Sequence, residues 1–438
     1  MNISKMKEEI FRMQEESLRK KQISAIQEIG ASKTLAEAGK IYLENSGVLK
    51  GWKFIYSTPK GTKTSYCSNH SFSSTGALRN LFKHNEMFFI DEKLTGKNKG
   101  LYKITFDYSI GLDTNVVSYI KPYLEGNISR IPKDIKEVMV FLAERRANFD
   151  PLPYFLENLF GLHAPVEYNE IFKSLKAYNK LRFAKLKSDR HGTRIVSTMT
   201  DQQLSDETAN HLSFMMYGLT NQNVVSEIKE DYLRYYVLLL KMIEIHFSSK
   251  QDVHKKVKEF LVFMHRDINA IHHREALLAK EFFARKQKLK FFAKIQPGNK
   301  NIFRDLRNMA WDMKHIRDTE LKVNLLERGG VDYFIPVFLT FDSRLAEIID
   351  LVKINTFSIS PDGDFRAFYH SETENLIYDV IQDFPDKNEF LETYFSFEAV
   401  DHRSKNRQLR PYHLYNGMCK LEEKVALLLG VNVSPRAW

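Results

Sequence analysis

Apolar and polar positions alternate along much of the chain with the period of amphipathic helices. Apolar residues over 10–26 recur about every 3.5 residues, and charged residues fill the intervals. The apolar positions of 224–243 and of 253–271 form two further stripes of this kind. The pattern predicts a helix over 1–45 and a long helical block over 165–298.

Other segments consist of short aromatic and β-branched runs, which are typical of buried strands. The run YKITFDYSIGL ends at Asp113, and a helical pattern follows at once. The run YFIPVFLTF ends at Asp342 and is followed by a helical segment, SRLAEIIDLV, and a second strand-like run, KINTFSIS. Strand, helix and strand in this order predict that 333–340 and 353–360 pair in parallel through a right-handed crossover. The sequence therefore predicts an α/β protein with a parallel sheet.

Composition narrows the class of protein. The chain has 438 residues, 65 Lys and Arg against 55 Asp and Glu, and a formal net charge of +10, which suits a polyanionic partner without requiring one. Two cysteines cannot supply a disulfide framework or a zinc-finger array. The N-terminal segment has no apolar signal region, and the longest apolar runs are too short to cross a bilayer. We expect a cytoplasmic protein that has no membrane association.

Four acidic residues are candidates for chemistry. Asp113 and Asp342 each end a predicted strand, Glu157 lies in a short apolar helix after a Pro-x-Pro break, and Asp312 lies in a helix among apolar neighbours. Because the carboxyl ends of parallel strands converge on one crevice, we expect Asp113 and Asp342 to be neighbours in space. Clustered carboxylates form a hard, oxygen-rich site of the kind that Mg²⁺ or Mn²⁺ prefers.

Such a cluster is unfavourable without a cation, because carboxylates a few ångströms apart repel one another. A bound divalent ion relieves that repulsion, polarises a phosphoryl oxygen and lowers the pKa of a bound water. The chemistry that these residue types favour is hydrolysis of a phosphodiester.

Two of these segments resemble parts of the PIN-domain nucleases. SIGLDTNVVSYI is similar to the opening strand, Asp-x-Asn turn and first helix of that family, and FLTFDSRLAEII is similar to its closing strand with Thr-x-Asp. The family places a Glu in one helix and a further Asp at the start of another, and Glu157 and Asp312 fit these places. Asn115 and Thr340 match the polar residues that support the metal site in the family. The resemblance implies a central parallel sheet covered by helices, and metal-dependent endonuclease activity, usually on RNA.

The resemblance covers about 100–165 and 300–360, a quarter to a third of the chain. Glu157 and Asp312 are so far apart that the helical block between them must be an insertion. The implied organisation is a PIN-like domain in two parts, with a helical insertion and further regions at both ends. The segments are an N-terminal helical or α+β region over 1–100, the first PIN-like part over 101–164, the insertion over 165–298, the second PIN-like part over 299–360 and a C-terminal α+β region over 361–438.

Each acidic residue also has a purely structural explanation. Asp113 and Asp342 could be helix N-caps, a common position for Asp before an apolar-periodic run. Glu157 could belong to the exposed face of its helix, and Asp312 could pair with a basic neighbour on its own helix. Asp318 is the substitute for Asp312 in the acidic set.

Basic runs predict a surface for nucleic acid. Eight Lys and Arg against one Asp occur within 173–194, and a second run lies at 285–294 and a third at 403–410. Aromatic residues are interleaved with these runs, among them Tyr178 and the pair Phe291-Phe292, and could stack on bases. We expect the partner to be RNA rather than DNA. The residues chosen for this role are Lys176, Lys180, Arg182, Lys185, Lys187, Arg285 and Lys288.

The sequence is also compatible with two other functions. A degenerate PIN-like fold could bind nucleic acid or support an assembly without catalysis. A helical metalloprotein could use His265 and Glu275 for iron or zinc, although the spacing of its histidines does not match the usual helical motifs. A toxin-like or phage-defence role follows by analogy with the fold alone, and an oligomer or a regulatory partner would be compatible with it.

Overall fold

The computed structural model describes residues 3–63, 68–95, 104–144, 148–159, 165–189, 192–323, 330–371, 375–407 and 411–433. The helices of these residues are α1 (Ile3–Ala31), α2 (Leu35–Glu44), α3 (Thr114–Leu124), α4 (Ile135–Glu144), α5 (Leu152–Asn158), α6 (Pro165–Arg182), α7 (Asp201–Leu219), α8 (Gln222–Ser248), α9 (Val253–Phe263), α10 (His273–Arg285), α11 (Ile302–Lys322), α12 (Ser343–Leu351), α13 (Leu376–Ile381), α14 (Lys387–Phe395), α15 (Phe397–Arg407) and α16 (Pro411–Leu429).

The strands are β1 (Lys53–Lys63), β2 (His70–Ser71), β3 (Ala77–Asn80), β4 (Glu86–Ile90), β5 (Phe106–Leu112), β6 (Phe149–Asp150), β7 (Ala184–Asp189), β8 (Gly192–Ser197), β9 (Tyr333–Thr340), β10 (Ile354–Ile359) and β11 (Phe365–Tyr369). The predicted α/β class is confirmed at the level of mixed helices and sheets. None of the described helices combines the length and the apolar character that crossing a membrane requires.

A five-stranded sheet in the order β2-β3-β9-β5-β6 contains the predicted parallel strands. β5 pairs in parallel with β9 on one side and with β6 on the other, whereas β3 pairs antiparallel with β9. Every residue of β9 is buried, so both of its faces are covered, and α3, α11 and α12 contact it. Leu112 at the end of β5 lies opposite Leu339 of β9, so the carboxyl ends of these strands coincide.

The predicted parallel pairing of 333–340 with 353–360 is wrong. The later strand, β10, belongs to a second sheet of order β11-β10-β1-β4, in which every pairing is antiparallel. Lys53 of β1 lies opposite Ile359 of β10. Local periodicity predicts a strand but not its partner, and here β1 and β11 supply the neighbours of β10.

Strands of the predicted N-terminal region pair with strands of the second predicted PIN-like part. β1 and β3 from 1–100 pair with β10 and β9 from 299–360, one in each sheet. The predicted helix over 1–45 is two helices, because Thr34 caps the start of α2 with its side chain. The insertion over 165–298 contains the antiparallel hairpin β7-β8 in addition to its helices.

Candidate active site

Asp113 and Asp342 lie at one edge of the central sheet, directly after β5 and β9. The side chain of Asp113 caps α3 by accepting a hydrogen bond from the backbone N–H of Thr114 at 2.7 Å. Asp342 caps α12 in the same way, accepting from the backbone N–H of Arg344 at 2.8 Å. Both residues therefore fulfil the N-cap role, and the parallel register also places them side by side.

Thr340 links these two aspartates. Its hydroxyl donates to Asp113 Oδ2 at 2.5 Å and accepts from the backbone N–H of Asp342 at 2.9 Å. Asn115 supports the same corner, because its Oδ1 accepts from the backbone N–H of Phe341 at 3.2 Å. The two polar residues that the resemblance selects thus connect the start of α3 to the end of β9.

All four predicted carboxylates face one cavity of about 360 Å³. Glu157 reaches it from α5 and accepts a hydrogen bond from the hydroxyl of Thr114. Asp312 reaches it from the middle of α11, and Asp113 and Asp342 reach it from the sheet edge. The structure therefore brings together residues from four separate elements.

The electrostatics of the cavity raise two carboxyl pKa values. Burial raises the pKa of Asp113 to about 6; Glu157 adds to this effect, while the hydrogen bond from Thr340 and the nearby His315 oppose it. Burial, followed by the charges of Asp113, Glu157 and Asp342, holds the pKa of Asp312 well above its ordinary value. Without a cation, the protonated form of Asp312 is therefore favoured more than in an ordinary aspartate.

Asp342 behaves in the opposite way. Burial disfavours its ionised form, but hydrogen bonds from Arg344 outweigh burial and the pKa of Asp342 lies below its ordinary value. Arg344 Nε lies 2.9 and 3.1 Å from the two carboxylate oxygens, and its Nη2 also donates to Oδ2. Asp342 is thus ionised and held by a guanidinium that lines the same cavity.

The sequence analysis missed polar residues of α11 that face the cavity. Asp305 and Asn308 line it together with Asp312, at spacings of three and four positions. This is the spacing of one helix face, so a polar stripe within an otherwise apolar helix was the available signal. Asp305 accepts a hydrogen bond from Asn299 at 3.0 Å, and Lys294 Nζ lies 3.9 Å from its Oδ1.

His315, one turn after Asp312, was also missed. Its side chain is 1% exposed, and its Nε2 lies 4.0 Å from Glu157 Oε2. The imidazole stacks on Trp311 and Phe338, with ring centroids 5.6 and 6.3 Å away. Neither ring nitrogen has a hydrogen-bond partner among the described residues. A buried imidazole beside a carboxylate is suited to holding or exchanging a proton there.

The oxygen atoms that line the cavity are of the kind that a hard divalent cation prefers as ligands. Four carboxylates and the Asn115 amide supply the oxygen ligands that Mg²⁺ and Mn²⁺ favour. The raised pKa of Asp312 is caused first by burial and then by the neighbouring carboxylates, and a cation would relieve the second of these effects. In their present rotamers, no group of three or more His, Cys, Asp or Glu side chains in the described part of the chain is arranged to hold a metal ion. Arg344 and Thr114 instead engage Asp342 and Glu157.

The alternative helical metal site does not form. His265 Nδ1 lies 2.9 Å from Arg403 Nη1, a cationic neighbour that opposes metal binding. Glu275 lies in other surroundings, buried near Arg274 and His272. The contacts of His265 and Glu275 among the described residues therefore give no support to the hypothesis of a histidine-based metalloprotein.

The first basic run forms a groove between α3 and α6. Lys173, Lys176 and Lys180 line it, and Lys121 of α3, which the sequence analysis missed, lies in the same groove. Lys176 Nζ forms an ion pair with Asp201 at 2.8 Å. The remaining predicted positions of this run lie nearby in the chain, with Arg182 3.9 Å from Glu207 and with Lys185 and Lys187 exposed on β7.

The described residues of the second and third basic runs do not line this groove. Arg285 pairs with Glu281 at 2.6 Å, and Lys288 is exposed. Arg403 is buried, and residues 408–410 of the third run lie outside the described residues. The expected stacking role of Tyr178 and Phe292 is wrong, because both are buried and face the core. Phe291 is also largely buried, but it lines the cavity that the four carboxylates face, and its stacking role stays a prediction.

Comparison with known proteins does not identify a relative. No family model matches the chain, and neither a curated protein nor a solved structure matches it.

Proposed function

We propose that this protein is a metal-dependent nuclease that hydrolyses RNA. The observation that carries the proposal is the convergence of Asp113, Glu157, Asp312 and Asp342 on one cavity, where burial first, and then the charges of the other three carboxylates, raise the pKa of Asp312. Carboxylates that oppose one another's ionisation are characteristic of functional sites. The resemblance to PIN-domain nucleases rests on the same four residues.

The four carboxylates would hold Mg²⁺ or Mn²⁺, which supplies an activated water and polarises the phosphoryl oxygen when bound. Thr340 orients Asp113 and the backbone before Asp342 through its two hydrogen bonds. Asp312 would hold the ion as the ionised carboxylate, the form that a nearby cation favours. His315, next to Glu157, is placed to receive or return a proton at that carboxylate.

The same cavity offers groups for a phosphate. Lys294 and Arg344 line it beside the carboxylates, so a phosphodiester entering the cavity meets two cations. The helix α3 contributes to both this cavity and the lysine groove: its Tyr119 lines the cavity, and its Lys121, nearer its C-terminal end, lines the groove. A single strand that runs along α3 would contact both surfaces, and the lysines would bind its backbone irrespective of sequence.

Cleavage of end-labelled single-stranded RNA, in Mg²⁺ or Mn²⁺ and in EDTA, tests the proposal. We expect cleavage that needs the metal and that Asp113→Asn abolishes while RNA binding persists. Asp206→Asn, at an exposed position of α7 outside the cavity, is the matched control and should cleave like the wild type. Parallel reactions on single-stranded DNA establish the substrate class. Metal-independent cleavage, or full activity of Asp113→Asn, would refute the proposal.

A second candidate is a non-catalytic protein that binds nucleic acid or supports an assembly. The observation that favours it is the pairing of Arg344 with Asp342, which neutralises one of the four carboxylates. This function predicts salt-dependent RNA binding with no metal-dependent turnover in either the wild type or Asp113→Asn. A cytoplasmic location and a toxin-like or antiviral role remain predictions from the sequence.

A further inference from the structure

A second cavity, of about 570 Å³, is lined by Arg317 and Glu320 of α11 and shares no lining residue with the acidic cavity around Asp312. Residues of α1, α8, α10, α11, β11 and α13 line it. Its volume is in the range of pockets that bind drug-sized ligands. None of the four carboxylates of the acidic cavity is among its lining residues.

A buried charge network forms one wall of this second cavity. Glu320 accepts hydrogen bonds from Arg274 Nη2 at 2.5 Å and from Arg317 Nη1 at 2.8 Å. The hydroxyl of Tyr369 lies 3.3 and 3.2 Å from the two oxygens of the same carboxylate. The side chains of Arg274 and Glu320 are only 6% and 2% exposed. Burying such a pair is unfavourable unless further interactions compensate, and here Arg317 and Tyr369 supply them, which makes this wall rigid.

Positive charge predominates in the cavity. Three arginines line it against two glutamates, Glu275 and Glu320. Burial is the main cause that raises the pKa of Glu275 to about 7, so this carboxyl is partly neutral at physiological pH. Arg274 is held inside by Glu320 and by the backbone of Val352. The other two arginines, at positions 317 and 366, are more accessible and lie where an entering anion would meet them.

Aromatic side chains provide flat surfaces beside these cations. The Arg317 guanidinium lies 5.3 Å from the ring centroid of Phe365. Tyr235, Phe368 and Tyr378 also line the cavity, and Tyr378 is 38% exposed. Planar rings next to guanidinium groups form the combination that binds a base by stacking and a phosphate by charge-assisted hydrogen bonds.

We propose that this cavity is a binding site for a nucleotide, whose phosphates contact Arg317 and Arg366 and whose base packs among the aromatic residues. Arg274 and Glu320 form the rigid inner wall that fixes Arg317. The proposal does not depend on nuclease activity, because no residue of the acidic cavity takes part in it.

Isothermal titration calorimetry on the full chain tests this site. The four ribonucleoside triphosphates are titrated separately in EDTA, so that no metal-dependent binding at the acidic cavity contributes. We expect at least one of them to bind with a stoichiometry of one, and inorganic tripolyphosphate and the matching nucleoside to bind at least about tenfold more weakly. Arg366→Gln should weaken binding by about tenfold or more, because a charge-assisted contact is lost. Arg130→Gln, at an exposed position that does not line the cavity, should bind like the wild type.

Two further variants separate binding from folding. Arg317→Gln removes a contact to Glu320 as well as the proposed phosphate contact, so its thermal unfolding is measured beside the exposed Arg366→Gln. Tyr378→Ala should weaken the triphosphate but leave tripolyphosphate unchanged. The proposal is overturned if no triphosphate binds at millimolar concentration, or if tripolyphosphate binds as tightly as all four. It is also overturned if Arg344→Ala, rather than Arg366→Gln, abolishes binding, since the nucleotide then occupies the acidic cavity, which Arg344 lines.

Discussion

The hydroxyl of Thr340 donates a hydrogen bond of 2.5 Å to Asp113 Oδ2, which joins the ends of two parallel strands that are 227 positions apart in the chain. The same hydroxyl accepts from the backbone N–H of Asp342. One small side chain therefore orients two of the four carboxylates of the acidic cavity. Because it is completely buried, water cannot replace it in either hydrogen bond.

Replacing Thr340 with Val keeps the shape of the side chain and removes both hydrogen bonds. We expect the free energy of unfolding to fall by about 1–3 kcal/mol, because buried polar partners lose their hydrogen bonds. Burial already raises the pKa of Asp113, and loss of the opposing hydrogen bond should raise it further. Urea unfolding and RNA cleavage are the measurements. Thr340→Ser should restore both the stability and the cleavage activity. A fully active Thr340→Val would show that the hydrogen bonds of the Thr340 hydroxyl are not needed for cleavage.

Replacing Asp312 with Asn should stabilise the protein when no metal is present. The folded-state pKa of Asp312 is raised, so its contribution to stability is full below the ordinary carboxyl pKa and is lost as the pH rises through the folded value. In EDTA near pH 8, Asp312→Asn should therefore melt about 1–3 °C above the wild type, and the difference should vanish near pH 4. Equal melting temperatures at both pH values would contradict this electrostatic account.

With divalent metal present, the wild type should melt at a higher temperature than Asp312→Asn. Ligands that bind only the folded state raise its stability, so Mg²⁺ or Mn²⁺ should raise the melting temperature of the wild type. Asp312→Asn should show little of this increase, because it lacks one charged ligand. Asp206→Asn is the control and should respond like the wild type. If metal stabilises Asp312→Asn as strongly as the wild type, Asp312 is not a ligand.

Arg344 should compete with metal for Asp342. Arg344→Ala removes the guanidinium that pairs with this carboxylate, and the cavity becomes more negative. Calorimetry should therefore show severalfold tighter Mn²⁺ binding, while RNA cleavage falls because a phosphate contact is lost. Arg344→Lys keeps the charge, so its Mn²⁺ affinity and its rate of RNA cleavage should lie between those of the wild type and of Arg344→Ala. Weaker Mn²⁺ binding in Arg344→Ala would instead identify Arg344 as a support for the ligand geometry.

His315 should affect the chemistry more than the stability. His315→Phe keeps the stacking on Trp311 and Phe338 and removes two buried nitrogens that have no hydrogen-bond partner among the described residues. We expect the free energy of unfolding to stay within about 1 kcal/mol of the wild type. Cleavage should fall, and the acid limb of its pH profile should move to higher pH, because His315 counteracts the effect of burial on Asp113. An unchanged profile would exclude the histidine from the reaction.

The lysine groove should bind the RNA backbone. The double variant Lys176→Glu with Lys180→Glu should weaken RNA binding by about tenfold or more and lower the slope of log affinity against log salt by about 2. Lys40→Glu with Lys50→Glu, two exposed positions outside the groove, makes the same change in net charge. Fluorescence anisotropy at several salt concentrations measures both. Equal losses in the two double variants would mean that only net charge matters.

Much of the acidic cavity could be predicted, because local sequence patterns indicated the strands and the helix on which its carboxylates lie. Strand-like runs ending in Asp113 and Asp342 indicated parallel strands, whose carboxyl ends share one edge of a sheet. Periodicity also located α11 around Asp312. The polar stripe of Asp305, Asn308 and Asp312 could have been recognised by the same periodicity, since its members lie on one helix face.

Other features depend on contacts that no local pattern encodes. The pairing of β10 with β1 places Lys53 opposite Ile359, although the two residues are 306 positions apart along the chain. The burial of Phe291 and Phe292 depends on which helices pack over them. The proximity of His315 to Glu157 requires α11 to lie against α5 at one particular rotation.

The sequence by itself determined many of the helices and strands, the basic excess and the acidic residues at the strand ends, because these depend on neighbours within a few positions. Only the tertiary structure decided which strands share a sheet, that four carboxylates face one cavity and that Arg344 engages one of them. It also created the second cavity around Arg274 and Glu320. The physical reason is that pairing and burial are set by the packing of the whole chain, where many distant apolar contacts compete at once.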